Sequence, residues 1–168
     1  SIVGQQISVS AAQAVWERLE KKVKTIKPKY VKSMHYMKLK SCGLSRQKIT
    51  YLKSLSVAFI EKKIQPQKWQ SKENEKIIEE LTQIKGIGRW TAEMFLIFNL
   101  CRPDIFPADD LGVIKGICNC YSLKYPITKQ AALKMSIKWK PYRSPIFKND
   151  AVSLHLHQKL EKIFVNVI

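Results

Sequence analysis

The stretch Leu81-Thr82-Gln83-Ile84-Lys85-Gly86-Ile87-Gly88-Arg89-Trp90-Thr91-Ala92 constrains this chain most. It joins two helical patterns through a glycine-rich turn. Before it, residues 73–83 carry Ile77, Ile78 and Leu81 at helical spacing; after it, a second helix is predicted from about Arg89 to Leu100. The glycines allow a sharp turn and a close approach of backbone to a partner. The second helix then offers its first N–H groups and its positive dipole end, an arrangement suited to an anion such as a DNA phosphate. Lys85 and Arg89 add positive charge beside it. A plain αα-corner would account for G-x-G alone; the full string L-x-x-I-x-G-I-G-x-x-T-A is far more specific.

The rest of the chain reads as helix with little punctuation. Six glycines and seven prolines in 168 residues suit helices better than a sheet with many turns. Val9, Ala12, Val15, Trp16 and Leu19 form an apolar stripe capped by Ser8, predicting a helix over 9–22. Residues 23–40 read as a loop plus a short helix, and Ser41-Cys42-Gly43 as a break. Ser45 caps a long helix to about Lys63, which Pro66 ends. A loop with Pro103 and Pro107 leads to Asp109 and a helix to about Tyr121; further helices are predicted near 128–137 and 151–164. The fold class is all-α with about eight helices, in one domain or two small lobes. Lysine and arginine number 30 against 13 acidic residues, a net charge of +17. That excess points to a polyanion, the alternative being a lysine-rich surface that only keeps the chain solvated.

About twenty residues past the hairpin comes Asp104-Ile105-Phe106-Pro107-Ala108-Asp109-Asp110-Leu111. A carboxylate pair is conspicuous in so basic a chain. Asp109 could cap the next helix, leaving Asp110 in the first turn, where the dipole favours its negative charge. A carboxylate beside a DNA strand costs binding energy, a cost that makes sense if it faces a cation formed in a reaction, such as an oxocarbenium ion at a sugar C1′. On spacing alone, capping and catalysis both account for the pair.

The hairpin with a downstream aspartate resembles the helix-hairpin-helix DNA glycosylase superfamily (HhH-GPD), and within it the 3-methyladenine DNA glycosylase II type. Four segments carry the resemblance. Ile2-Val3-Gly4-Gln5-Gln6-Ile7-Ser8 is similar to the family's I-x-G-Q-Q-I-S opening, and Gly43-Leu44-Ser45-Arg46-Gln47-Lys48 to its G-L-S-x-x-K helix start. The hairpin with Asp110 is the third; Trp139-Lys140-Pro141-Tyr142-Arg143-Ser144 resembles its W-x-P-[WY]-R-S segment.

The resemblance implies a two-lobed helical fold over residues 1–168, with a cleft between lobes and a helix-hairpin-helix at about 74–100. An N-terminal part of the family fold would precede Ser1. It implies that Asp110 is the catalytic aspartate and Asp109 its neighbour and cap. Trp90 falls where bifunctional members carry a nucleophilic lysine, and a tryptophan forms no Schiff base. The implied activity is therefore hydrolysis of the N-glycosidic bond of alkylated bases, without strand cleavage. Trp90, Trp139 and Tyr142 are candidates for a pocket that stacks on the flipped, often cationic base; Trp16 and Trp69 read as core. Lys85, Gly86, Ile87, Gly88, Arg89 and Thr91 would meet the DNA backbone. Gln6, then Gln5, would fill the gap left by the flipped base, although both could equally cap a helix. No cofactor is implied beyond a structural monovalent cation at the hairpin when DNA is bound. The expected partner is double-stranded DNA with damaged bases, met by a monomer in the bacterial cytoplasm or the nucleus.

Other features add less. Cys42, Cys101, Cys118 and Cys120 match neither a zinc ribbon nor an iron–sulfur spacing, and free thiols fit an intracellular setting. His35, His155 and His157 show no metal-ligand pattern, and the lysine run from Lys21 to Lys32 reads as a solvated face. No apolar run approaches a membrane span. After Ser144 the family's alanine- and aromatic-rich helix gives way to Pro145-Ile146-Phe147-Lys148-Asn149-Asp150, which favours the competing possibility of a hairpin module that binds DNA but has lost catalysis. A glycosylase for another lesion is the third possibility.

Overall fold

The computed structural model describes residues 2–23 and 26–145, and every regular element among them is a helix. The predicted helix over 151–164, with His155 and His157, and the divergent segment after Pro145 lie outside the described residues. The helices are α1 (Val9–Lys22), α2 (Pro28–Ser33), α3 (Tyr36–Lys40), α4 (Arg46–Ile60), α5 (Asn74–Thr82), α6 (Arg89–Phe98), α7 (Leu111–Cys120) and α8 (Lys129–Ser136).

Most starts are set by a polar side chain that accepts one of the first free N–H groups. Ser8 accepts from Ala11 N, Ser45 from Lys48 N and Thr128 from Ala131 N. Two expectations are corrected. Residues 23–40 hold two short helices, since Pro28 opens α2 and His35 Nδ1 accepts from Met37 N at the start of α3. Pro66 does not end α4. That helix stops at Ile60 because Lys62 turns left-handed (φ 55) and Lys63 N reaches back to Ala58 O. Pro66 instead opens a 3-10 turn, Pro66–Ser71, where its fixed φ and missing N–H suit the first position.

Two compact units divide the chain, one running to Arg89 and the other starting at Trp90. In the first, α2 and α3 pack on α4. Its core is built from Val15, Trp16, Leu19, Val31, Leu39, Leu44, Ile49 and Leu52, joined by Ile2 and Val3 from the opening loop. Trp69 is also buried, its Nε1 donating to Glu80 Oε2 at 2.8 Å. In the second, α6 is buried along Ala92–Ile97 and α7 buries Val113, Ile114, Ile117 and Cys118. A buried α6 provides a stiff base for whatever its first turn carries.

Candidate active site

The hairpin turn is held from within the first unit by two other sequence motifs. Gly86 has φ +93, and a Cβ built there would lie 2.2 Å from the Tyr51 ring of α4. Gly86 is therefore required by the fold itself. At Gly88, a Cβ would meet nothing within 4 Å. On the other side of the turn, Gln5 Nε2 donates to Gly86 O at 2.9 Å. Lys48, the last residue of the G-L-S-x-x-K string, donates to Val3 O at 2.7 Å, and its burial pulls its pKa down. The opening loop is thus tied both to α4 and to the hairpin, while Gln6, exposed and left-handed (φ 56), sits at its tip. Of the two glutamines, Gln5 is engaged and Gln6 is presented.

Lys85 and Gly88 are exposed, and Gly88 directly precedes α6 with no side chain to cap it. The N–H groups of Trp90 and Thr91, in the first turn, have no acceptor within their own helix. Arg89 makes a two-pronged ion pair with Glu75 of α5, at 2.6 and 2.9 Å. That guanidinium holds the Glu75 carboxyl below the usual range. Arg89 thus reaches a phosphate only by exchanging one anion for another.

In the second unit, the structure gives the helix cap expected of Asp109 to its neighbour. Asp110, not Asp109, caps α7: its Oδ1 accepts from Gly112 N at 2.8 Å and Val113 N at 3.1 Å. A turn closed by Asp110 N on Pro107 O delivers it there. Asp109 points to an exposed ion pair with Lys129. The other oxygen of Asp110 accepts from Trp90 Nε1 at 2.6 Å. Trp90 stands in the first turn of α6 and is 38 % exposed, so one ring edge fixes the carboxylate while the ring remains open to solvent. A carboxylate held by three donors, two of them helix N–H groups, is fixed in one orientation.

Among the described residues, no hydrogen bond or ring contact links Trp139 or Tyr142 to Trp90 or Asp110. Trp139 packs on Phe106 and Tyr121, with centroids 5.9 and 6.5 Å away. Lys138 Nζ lies 4.0 Å from the Tyr121 centroid and 5.7 Å from that of Trp139, so of the rings expected to attract a cationic base Trp139 already has a lysine over it. Tyr142 is 64 % exposed. The two residues after it, whose role the sequence did not reveal, form a clamp. Arg143 Nε and Nη2 donate to the Asp104 carboxylate at 2.5 and 2.9 Å. Ser144 Oγ accepts from Ile105 N, and Ser144 N donates to Pro103 O. The R-S pair therefore anchors the loop that ends in Asp110. The available signal was charge complementarity between Arg143 and Asp104, too common to single out in sequence.

A helical chain with a glycine hairpin and a helix-capping aspartate beside a tryptophan has the fold of the hairpin-bearing glycosylases. The family model described as "HhH-GPD superfamily base excision DNA repair protein" matches residues 1–141, and the chain belongs to that superfamily. It is 39% identical over 149 residues to DNA-3-methyladenine glycosylase 1 of Schizosaccharomyces pombe, covering 86% of this chain and 65% of the relative. It is 36% identical over 166 residues to DNA-3-methyladenine glycosylase of Saccharomyces cerevisiae, covering 89% and 56%. The chain thus spans less than two thirds of the length of these relatives. The solved structure of Schizosaccharomyces pombe 3-methyladenine DNA glycosylase in complex with abasic DNA matches with a TM-score of 0.74 and 35% identity, covering 90% of this chain and 78% of that one.

Proposed function

We propose that the chain is a monofunctional DNA glycosylase that releases alkylated, 3-methyladenine-type bases from duplex DNA in base-excision repair. The observation that carries this reading is the hydrogen bond from Trp90 Nε1 to Asp110 Oδ2. It sets an indole, not an amine, against an oriented carboxylate. In the reaction the bond from C1′ to the base nitrogen breaks, and its electron pair leaves with the base. The cation left on the sugar is stabilised by the negative charge of Asp110. Water then adds at C1′ and loses a proton to solvent, giving an abasic site. Trp90 can form no imine with that site, so the strand stays intact. The open face of its ring is suited to stack on the flipped base.

Double-stranded DNA as partner is supported by the net charge of +17 and the hairpin. The expected compartment is the one that holds the DNA, and the expected form a monomer; no helix among the described residues is long and apolar enough to cross a membrane. The monovalent cation expected at the hairpin would be held by main-chain carbonyls of the turn. Ile84 O and Gly86 O each accept one N–H and keep a second lone pair. Such a cation would add positive charge where a phosphate docks. Among the described residues no group of three or more His, Cys, Asp or Glu could hold a metal.

The test is single-turnover base release from methylated duplex DNA. Release of 3-methyladenine and 7-methylguanine, with no adduct trapped by borohydride, is the expected result. The lysine over Trp139 favours one second reading, a glycosylase for a neutral lesion; release of hypoxanthine alone would select it. Release of neither would reject both readings.

A further inference from the structure

We infer that Gln5 is a positioning residue that locks the loop tip carrying Gln6 to the hairpin turn, so that gripping the DNA backbone and filling the gap in the base stack occur in one fixed register. The inference rests on the glycosylase reading for its biological sense, but its geometry stands alone. Three residues of α4 form its base. Lys48 holds the opening loop by Val3 O at 2.7 Å, Tyr51 lies against Gly86, and Gln47 Nε2 donates to the Tyr51 hydroxyl at 2.5 Å. Gln5 closes the triangle by donating to Gly86 O at 2.9 Å, across a separation of 81 residues in the chain.

The loop has two kinds of residue. Ile2 and Val3 are buried in the core, whereas Gln6 and Ile7 at the tip are exposed. An exposed amide and an exposed isoleucine on one short turn suit insertion between bases, where an apolar or amide side chain replaces the lost stacking. Inserting them against a stacked duplex costs roughly a few kcal/mol. A tip free to wander would also pay for being ordered on the DNA, and a tip already fixed to the turn that meets the backbone would not. Only a side chain with a hydrogen-bond donor at the reach of Gln5 makes this bond, because the Gly86 partner is a carbonyl.

The test uses the whole chain and a duplex carrying a tetrahydrofuran abasic analogue beside 2-aminopurine, whose fluorescence rises when its stack is opened. Each variant is measured at saturating protein, so that differences in binding do not enter. Wild type is expected to raise the fluorescence. Gln5→Leu, of similar volume without a donor, is expected to slow that rise about tenfold, and Gln6→Ala is expected to slow it as much. Gln5→Lys, which keeps a donor, is expected to recover most of the rate. Single-turnover release is expected to fall for a lesion paired in a duplex and to change less than about threefold for the same lesion in a single strand, which has no duplex stack to open.

A rise in Gln5→Leu equal to wild type would overturn the inference. So would a wild-type chain that opens no stack at all. If thermal stability fell with the signal and Gln5→Lys rescued neither, Gln5 would be a purely structural residue. A wild-type chain that releases no methylated base yet opens the stack through Gln5 would reject the glycosylase reading and leave the coupling standing.

Discussion

Asp110 does two jobs with two oxygens, and they can be separated. Oδ1 caps α7 and Oδ2 faces Trp90. Asparagine caps a helix as well as aspartate does, so Asp110→Asn is expected to keep the fold. It loses the negative charge, so base release is expected to fall at least about 100-fold while duplex binding holds or tightens. Asp109→Asn breaks only an exposed pair with Lys129, of about 0–1 kcal/mol, and is expected to release bases at a near-normal rate. Single-turnover assays on the two variants check this; a dead Asp109→Asn beside an active Asp110→Asn would reverse the assignment. Trp90→Phe keeps a ring and removes the N–H donor. Losing a hydrogen bond to a charged group, about 1.5–3 kcal/mol, is expected to slow release by ten- to a hundredfold. Normal release by Trp90→Phe would show that the carboxylate needs no such alignment.

At the scale of the element, the hairpin glycines have different reasons to be glycine. Gly86→Ala forces a Cβ into the Tyr51 ring at a left-handed position, and is expected to cost roughly 1–3 kcal/mol of stability. Gly88→Ala meets nothing in the free protein, so its melting temperature is expected to hold. If the turn meets the DNA backbone as proposed, its binding is expected to weaken alike on every DNA sequence. Thermal melts and binding curves on unrelated duplexes check both; a loss confined to certain sequences would mean the turn reads bases. The anchored loop makes an acid-range prediction. The Arg143 guanidinium holds the Asp104 carboxyl below its ordinary value. A depressed folded-state pKa contributes stability that is complete above the unfolded value of about 3.9, and that is lost as pH falls through the lower folded value. Arg143→Ala is therefore expected to flatten the acid limb of the stability curve, measured by melts from neutral pH downward. An unchanged acid limb would mean the pair contributes nothing.

For the molecule as a whole, the net charge of +17 sets the long-range behaviour. Binding to undamaged duplex is expected to be sequence-blind. Its log–log slope with salt is expected at about −4 to −5, if some four to six phosphates lose counterions. Titrations at several salt concentrations measure it, and a slope near zero would place affinity in base contacts instead. The Arg89–Glu75 pair is expected to temper this, since that arginine would have to trade Glu75 for a phosphate and would add less to affinity than its formal charge suggests.

The helices were legible in the sequence because their determinants are local. Ser8, Ser45 and Thr128 each cap through a bond three residues long, and apolar spacing marks the turns beyond each cap. The hairpin string and the membership of the superfamily were legible for the same reason, as short contiguous motifs. Where two adjacent residues could do one job, sequence could not choose: Asp110 took the cap because the turn on Pro107 ends there. The same limit hid the end of α4, where Lys62 turns left-handed without a glycine to announce it. Contacts between residues far apart in the chain belong to tertiary structure alone. Gln5 meets Gly86 across 81 residues and Arg143 meets Asp104 across 39. Trp139 lies against Phe106 and Tyr121 with a lysine over its ring. A hydrogen bond or ring contact of this kind depends on where packing places two backbones, and no spacing in one dimension encodes that placement.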